Sequence, residues 1–185
     1  DSILGQVAFH FVPMLNPDGV TISQMGENGI QSEELRQTMQ AAYAADKASS
    51  RTTVSYEEYM RRWKANARGV DLNYNFAANW EGINVSLTHP SANGYKGTNP
   101  LSEPESQAIA NLIQGTGFNA VINYHAMGNV IYWDTRNNQK AAESKALANA
   151  VHALNGYSVL GSKGVGGLKD WLCLLYTSDA ADDLT

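Results

Sequence analysis

The chain begins in alternation. In "DSILGQVAFHFVPML", Val7, Phe9 and Phe11 alternate with Ala8 and His10, a period of two that predicts a strand already under way. "NPDG" (Asn16 to Gly19) follows, with proline second and glycine fourth, the composition of a tight turn. Ser32 then stands as an N-cap before "EELRQTMQAAYAAD", whose pattern predicts a helix of about four turns. "ASSRTTVS" (Ala48 to Ser55) reads as a loop and "YEEYMRRWKAN" as a short helix. That helix leads into "GVDLNYNFAANW" (Gly69 to Trp80). Val70, Leu72, Tyr74 and Phe76 are core candidates of a buried strand there, interrupted by Asn73 and Asn75, which are poor strand formers. Asparagines at a strand end either turn the backbone or face a ligand, and the pattern leaves both readings open.

From Trp80 to Pro100 the chain is rich in Gly, Asn, Pro and Ser, so a long loop is expected, of the kind that in compact domains is functional or disordered. It ends in "SEPESQAIANLIQGTG". Ser102 and Glu105 have capping-box spacing, Pro104 suits a first helical turn, and Gly115 is the expected stop. "FNAVINYHA" (Phe118 to Ala126) predicts a buried strand and "IYWD" another short one. "QKAAESKALANAVHALNG" predicts a helix closed by Gly156. Helices alternating with apolar strands imply an α/β domain with helices packed on a sheet, without internal repeats.

At 185 residues, with 43% apolar and 17% charged residues, the chain suits one globular domain with a real core. A net charge of -5 and no basic run longer than "RRWK" (Arg61 to Lys64) argue against a nucleic-acid or anionic-membrane partner. No apolar run approaches the roughly 18 residues of a membrane span. The single cysteine, Cys173, excludes an internal disulfide without fixing the compartment. The opening residues read as a cut inside a domain. The closing "CLLYTSDAADDLT" looks like a translated cloning or sequencing adapter. A domain over residues 1–172 and a foreign tail over 173–185 are the expectation.

Four histidines offer chemistry. His10 lies in a strand, His89 precedes a proline in the loop, and His152 sits mid-helix; each reads as structural or solvated. His125 closes an apolar strand, where α/β sheets gather their ligands. No H-E-x-x-H, H-x-x-E or C-x-x-C pair accompanies it. The chain also has no G-x-S-x-G elbow, phosphate loop or G-x-G-x-x-G. Spacing alone stops at an α/β domain with one suggestive histidine.

Four stretches in order, "VPMLNPDGV", "NARGVDLNYNF", "YKGTNPLSEPESQAI" and "INYHAMG", together resemble the zinc carboxypeptidase family of metallopeptidases over Phe11 to Gly128. "SQMG", "WKANARGVDLN", "GNVIYWD" and "GGLKDW" are most similar to its bacterial γ-D-glutamyl-diaminopimelate peptidase branch. The resemblance implies a mixed, twisted sheet of about eight strands with helices on both faces. It implies Zn2+ held by an H-x-x-E pair and a later histidine, with a glutamate as general base and a peptide or peptidoglycan stem peptide as substrate. His125 matches the later histidine. The H-x-x-E pair is expected upstream of Asp1 and the glutamate after the "KDW" region, so the chain as it stands is expected to be inactive.

The family's oxyanion arginine corresponds to Lys64, nine residues before Asn73, with Arg68 as a nearby substitute. Lysine keeps the charge and loses the fork geometry. Where carboxypeptidases proper have Asn-Arg-Asn gripping a terminal carboxylate, this chain has Asn73, Tyr74 and Asn75. A phenol donates one hydrogen bond and forms no bidentate ion pair, which favours a crosslinked or D-amino-acid peptide over simple C-terminal trimming. The resemblance thus implies an extracellular or cell-wall peptidase, with an ordinary metallocarboxypeptidase and a non-catalytic peptide-binding module as the competing readings.

Overall fold

A computed structural model describes residues 5–84, 87–135, 138–161 and 166–182. Helix α1 spans Pro17–Met25. Its N-cap is Asn16, whose Oδ1 accepts from the Gly19 N–H at 2.9 Å, and Pro17 fills the first helical turn. The "NPDG" signature therefore starts a helix rather than a free-standing turn, because a proline with fixed φ behind an asparagine cap also suits a helix N-terminus. Helix α2 (Glu33–Ala48) is capped by Ser32 and α3 (Tyr56–Arg61) by Ser55, whose hydroxyls accept from the amides of Leu35 and Glu58. Both follow the expected boundaries.

These three helices share one core. Ile22 of α1, Met39 and Ala42 of α2, Tyr59 and Met60 of α3, and Trp63 beyond it are all buried. A polar knot runs through this core. Asp46 Oδ2 accepts from the Tyr59 hydroxyl at 2.7 Å and the Ser91 hydroxyl at 2.5 Å, and Arg51 Nε lies 3.2 Å from Oδ1. The Tyr59 oxygen in turn accepts from the Ala92 amide at 2.9 Å, which fastens the long loop to α2 and α3.

Helix α4 (Pro104–Thr116) differs from expectation at both ends. Ser102 does not cap it: its hydroxyl donates to Glu103 Oε1 and accepts from Asn75 Nδ2, so Glu103 takes the N-cap position without a side-chain bond. The helix passes through Gly115 and stops at Gly117, whose φ of 65° supplies the left-handed cap. Phe76, Ala110 and Ile113 form a second core with Leu168 and Trp171 of α6 (Leu168–Asp182). Helix α6 runs on through the expected boundary at residue 172, and Leu174 and Leu175 pack against this core, partly buried.

Strands are fewer than the pattern predicts. β1 (Val130–Tyr132) and β2 (Ser158–Leu160) pair in parallel, Val130 opposite Ser158 and Tyr132 opposite Leu160. Helix α5 (Ala141–Asn155), ended by Gly156 at φ 72°, makes the crossover between them. β1 was expected within "IYWD"; β2 was not foreseen. The strands expected at Val7 to Phe11 and Phe118 to Ala126 do not form among the described residues. Neither has a ladder partner, and a strand without one is not stable in water. Several of their apolar side chains face solvent instead, Phe11 at 82% and Tyr124 at 86% exposure, while Phe118 packs partly buried against the second core. The fold is mixed helix and strand, and a sheet of eight strands is not seen among the described residues.

Burial, and then the hydrogen bond to Asp46, push the Tyr59 phenol up to about 12. Unfolded, it titrates near ~10, so the native state holds this proton longer and its stabilisation is complete below that value. Stability should then fall as pH rises from about 10 through about 12. Thermal melts across this window should show a steeper decline for the wild-type chain than for Tyr59→Phe; equal slopes would contradict the assignment.

Candidate active site

The stretch from Trp63 to Phe76 is folded around three side chains that the main chain uses as brackets. Asn66 is buried. Its Oδ1 accepts from the amides of Arg68 and Val70, and its Nδ2 donates to Glu103 at 2.7 Å and Glu105 at 3.2 Å. Asp71 is buried as well. Its Oδ1 caps a short 3-10 turn (Leu72–Tyr74) by accepting from the Asn73 amide at 3.1 Å, and its Oδ2 accepts from the Gly94 amide at 3.0 Å.

Asn75, at 0% exposure, is the third. Its Nδ2 donates to the carbonyls of Lys96 (3.0 Å) and Asn99 (3.2 Å) and to Ser102 Oγ (2.9 Å), while its Oδ1 accepts from the Glu103 amide (3.3 Å). Gly97 lies against it with φ +84°, and a Cβ there would come within 2.9 Å of Asn75 Nδ2. Of the two readings left open for the asparagines, Asn75 therefore takes the structural one.

Lys64 lies beside this turn. Its amide donates to the Ala92 carbonyl, its Nζ sits 3.0 Å from Asp71 Oδ2, and the same Nζ lies 5.8 Å from the centroid of the Tyr74 ring. The lysine side chain is half exposed (50%) and Asp71 is enclosed, so the pair presents its cationic end to solvent. Asn73 and Tyr74 are both partly exposed. The Lys64 ammonium and the Tyr74 ring thus lie side by side at the edge of the turn that carries Asn73. Gly166 and Gly167 back this surface. The Gly166 carbonyl accepts from Phe76 N at 3.0 Å, and a Cβ on Gly166 (φ +84°) would fall 2.2 Å from Ile83 Cδ1.

The other expected residues are placed differently. Arg68 is exposed and lies 3.8 Å from the Glu103 carboxylate, away from Asp71 and Tyr74 in its contacts. His125 is exposed on its unpaired segment, with Nε2 3.3 Å from Asn123 Nδ2. His10 packs edge-on to Phe118, and the Nδ1 atoms of His89 and His152 bond to the carbonyls of Pro90 and Tyr157. Among the described residues no three His, Cys, Asp or Glu side chains are grouped to hold a metal ion. The described residues by themselves therefore do not make up a zinc site. A separate cleft of about 340 Å³, lined by Glu27, Tyr56, Met60 and Arg61 among others, includes none of the candidate residues. There, burial and the Glu27 carboxylate hold the Tyr56 phenol well above its usual value.

The ordered sequence of motifs and this turn identify a class. The chain belongs to the zinc carboxypeptidase family, whose model matches residues 1–171. Among curated relatives it is similar to γ-D-glutamyl-L-diamino acid endopeptidase 1 of Lysinibacillus sphaericus, at 32% identity over 91% of this chain and 40% of that protein. It is 29% identical to the uncharacterized protein YqgT of Bacillus subtilis, over 91% of this chain and 42% of that one. It is 32% identical to bovine carboxypeptidase O over 56% of this chain and 32% of that enzyme. The chain thus spans about two fifths of the length of the bacterial relatives. No solved structure matches significantly.

Two residues here escaped the pattern reading. Asp71 is a charged residue between apolar Val70 and Leu72, which is the signal that a partnered buried carboxylate leaves in sequence. Glu103 sits buried in "SEPES", where its neighbours suggested only a helix start. Asn75→Ala should destabilise the chain by about 3 kcal/mol, since it strands buried donors and acceptors of the 96–103 loop. Urea melts would show this as a lowered midpoint; a change under ~0.5 kcal/mol would contradict the bracket role.

Proposed function

We propose that this chain carries the substrate-facing surface of a zinc-dependent peptidase that hydrolyses γ-D-glutamyl bonds to a diamino acid in peptidoglycan stem peptides. The observation that carries the reading is the Lys64 ammonium, half exposed and held by Asp71 beside the turn that bears Asn73 and Tyr74. The similarity to the Lysinibacillus endopeptidase supports the substrate class. In this reading the scissile carbonyl lies toward Lys64, whose ammonium donates to the oxygen as negative charge develops on it. Asn73 and Tyr74 hydrogen-bond to the group beyond the bond. Tyr74 is neutral, so that group need not be a free terminal carboxylate.

His125 supplies one zinc ligand, on a strand that pairs within the family's larger sheet. The remaining ligands and the glutamate base come from sequence outside this chain, a reading supported by its two-fifths coverage of the bacterial relatives. The active form is extracellular or wall-associated, and residues 173–185 are foreign to it; the family match ends at residue 171. The second reading, an ordinary metallocarboxypeptidase, is favoured only by the partial likeness to carboxypeptidase O. A non-catalytic binding module would follow if the flanking coding sequence lacks H-x-x-E before "DSILGQ" or a glutamate after "KDW".

The protein with its flanking coding sequence restored should cleave a γ-D-glutamyl-diaminopimelate peptide; cleavage of only a plain peptide with a hydrophobic C-terminus would overturn the assignment. In that protein Lys64→Met should lower kcat/KM by about 100-fold, the loss typical of one oxyanion donor. The 185-residue chain alone, dialysed against a mild chelator, should retain well under one zinc per chain by atomic absorption. A stoichiometric metal would contradict the ligand assignment.

A further inference from the structure

Lys64 is held at its far end by Asp71, and a second set of contacts holds the main chain from which its side chain departs. The Lys64 and Ala65 amides both donate to the Ala92 carbonyl at 2.9 Å. From the other side, Asn16 Nδ2 donates to the Lys64 and Ala65 carbonyls at 3.2 and 3.0 Å. Ala92 belongs to the long loop, which has little apolar patterning to order it. Its grip on Lys64 is therefore only as firm as whatever fixes the Ala92 peptide.

That peptide is fixed by Tyr59. The Ala92 amide donates to the Tyr59 hydroxyl oxygen at 2.9 Å, and the hydroxyl proton goes to Asp46 Oδ2 at 2.7 Å. The Tyr59 side chain is buried, with its ring edge-on to Trp63 at 5.9 Å and tilted against Tyr43 at 5.2 Å. A phenylalanine would fill the same space. What the hydroxyl adds is a donor and an acceptor, and both are used inside the protein. One unbroken chain of hydrogen bonds thus runs from Asp46 through Tyr59 and the Ala92 peptide to the amides of Lys64 and Ala65. Its inner members are enclosed, so leaving any of them unpaired is costly.

Ser91 provides the contrast. Its hydroxyl also donates to Asp46 Oδ2, at 2.5 Å, while its oxygen accepts from the Asn93 amide at 3.4 Å. Both hydroxyls serve the same carboxylate, and it is the Tyr59 oxygen that takes the Ala92 amide.

We propose that Tyr59 is a positioning residue for Lys64: held by Asp46, its hydroxyl fixes the Ala92 peptide and so sets where the Lys64 side chain leaves the main chain. The consequence for catalysis rests on the role of Lys64 proposed above. Tyr59 touches no substrate; it acts through Ala92 and Lys64.

Amide hydrogen exchange in the 185-residue chain tests the link itself. Tyr59→Phe should speed exchange at Lys64 and Ala65 about fivefold more than at Ile22 of α1, the factor of one net hydrogen bond. Ser91→Ala, which takes the other hydroxyl from Asp46, should leave that ratio unchanged. A uniform rise at all three amides in Tyr59→Phe, or an equal local rise in Ser91→Ala, overturns the proposal. Should Tyr59→Phe not fold, the wild-type chain decides. Its Ala92, Lys64 and Ala65 amides should exchange together as one opening unit; an Ala92 amide that exchanges while the other two stay protected overturns the proposal.

A kinetic cycle in the protein with its flanking sequence restored separates the two layers. Tyr59→Phe should lower kcat about fivefold with KM little changed, and should cost nothing further in Lys64→Met. No loss in the wild-type background, or equal losses in both, overturns the positioning role. An unchanged kcat/KM in Lys64→Met overturns the oxyanion role of Lys64, and the exchange ratios then decide whether Tyr59 holds it.

Discussion

The side-chain amide of Asn75 is completely enclosed and uses both of its ends, donating to Lys96, Asn99 and Ser102 and accepting from Glu103. It anchors the 3-10 turn at Leu72–Tyr74, the long loop and the start of α4 to a single point. The cost of leaving those groups unpaired in a closed interior is what forces the loop to return to the same path. The loop has little apolar periodicity of its own, so its order is borrowed from this amide and from the Asp46, Tyr59 and Ser91 knot.

The site inherits that order. With the turn fixed, Asn73 and Tyr74 are set on its outer side and Lys64 is drawn to it by Asp71. The arrangement joins an enclosed anion to a half-exposed cation, so the local charge balances. Such a surface suits an oxygen that gains charge during a reaction better than it suits a permanent carboxylate, which a second cation would favour.

Local chemistry was the legible part of the sequence. Ser32 and Ser55 announced α2 and α3, and Gly156 announced the end of α5, because caps act over three or four residues and need no distant partner. Ser102 misled for the opposite reason: its hydroxyl was claimed by Asn75, a residue 27 positions away. The strands at Val7 to Phe11 and Phe118 to Ala126 failed for a related cause. Alternation marks a face that wants covering, but a strand exists only when another backbone lies beside it. His125, expected at the end of such a strand, shares the fate of its segment and meets only Asn123. The family motif pointed to Lys64 and Tyr74, whose ammonium and ring lie 5.8 Å apart, whereas Asp71, which pairs with Lys64, was hidden in an apolar run.

The central claim is that the turn at Lys64, Asp71, Asn73 and Tyr74 faces the substrate. Chemical-shift mapping on the isotope-labelled chain, titrated with L-Ala-γ-D-Glu-diaminopimelate, tests it most directly. The account predicts shifts concentrated at Asn73, Tyr74, Gly94 and Gly167, saturating together. Shifts confined to the separate cleft at Glu27 and Tyr56, or none at the turn at peptide concentrations that saturate another region, would contradict it.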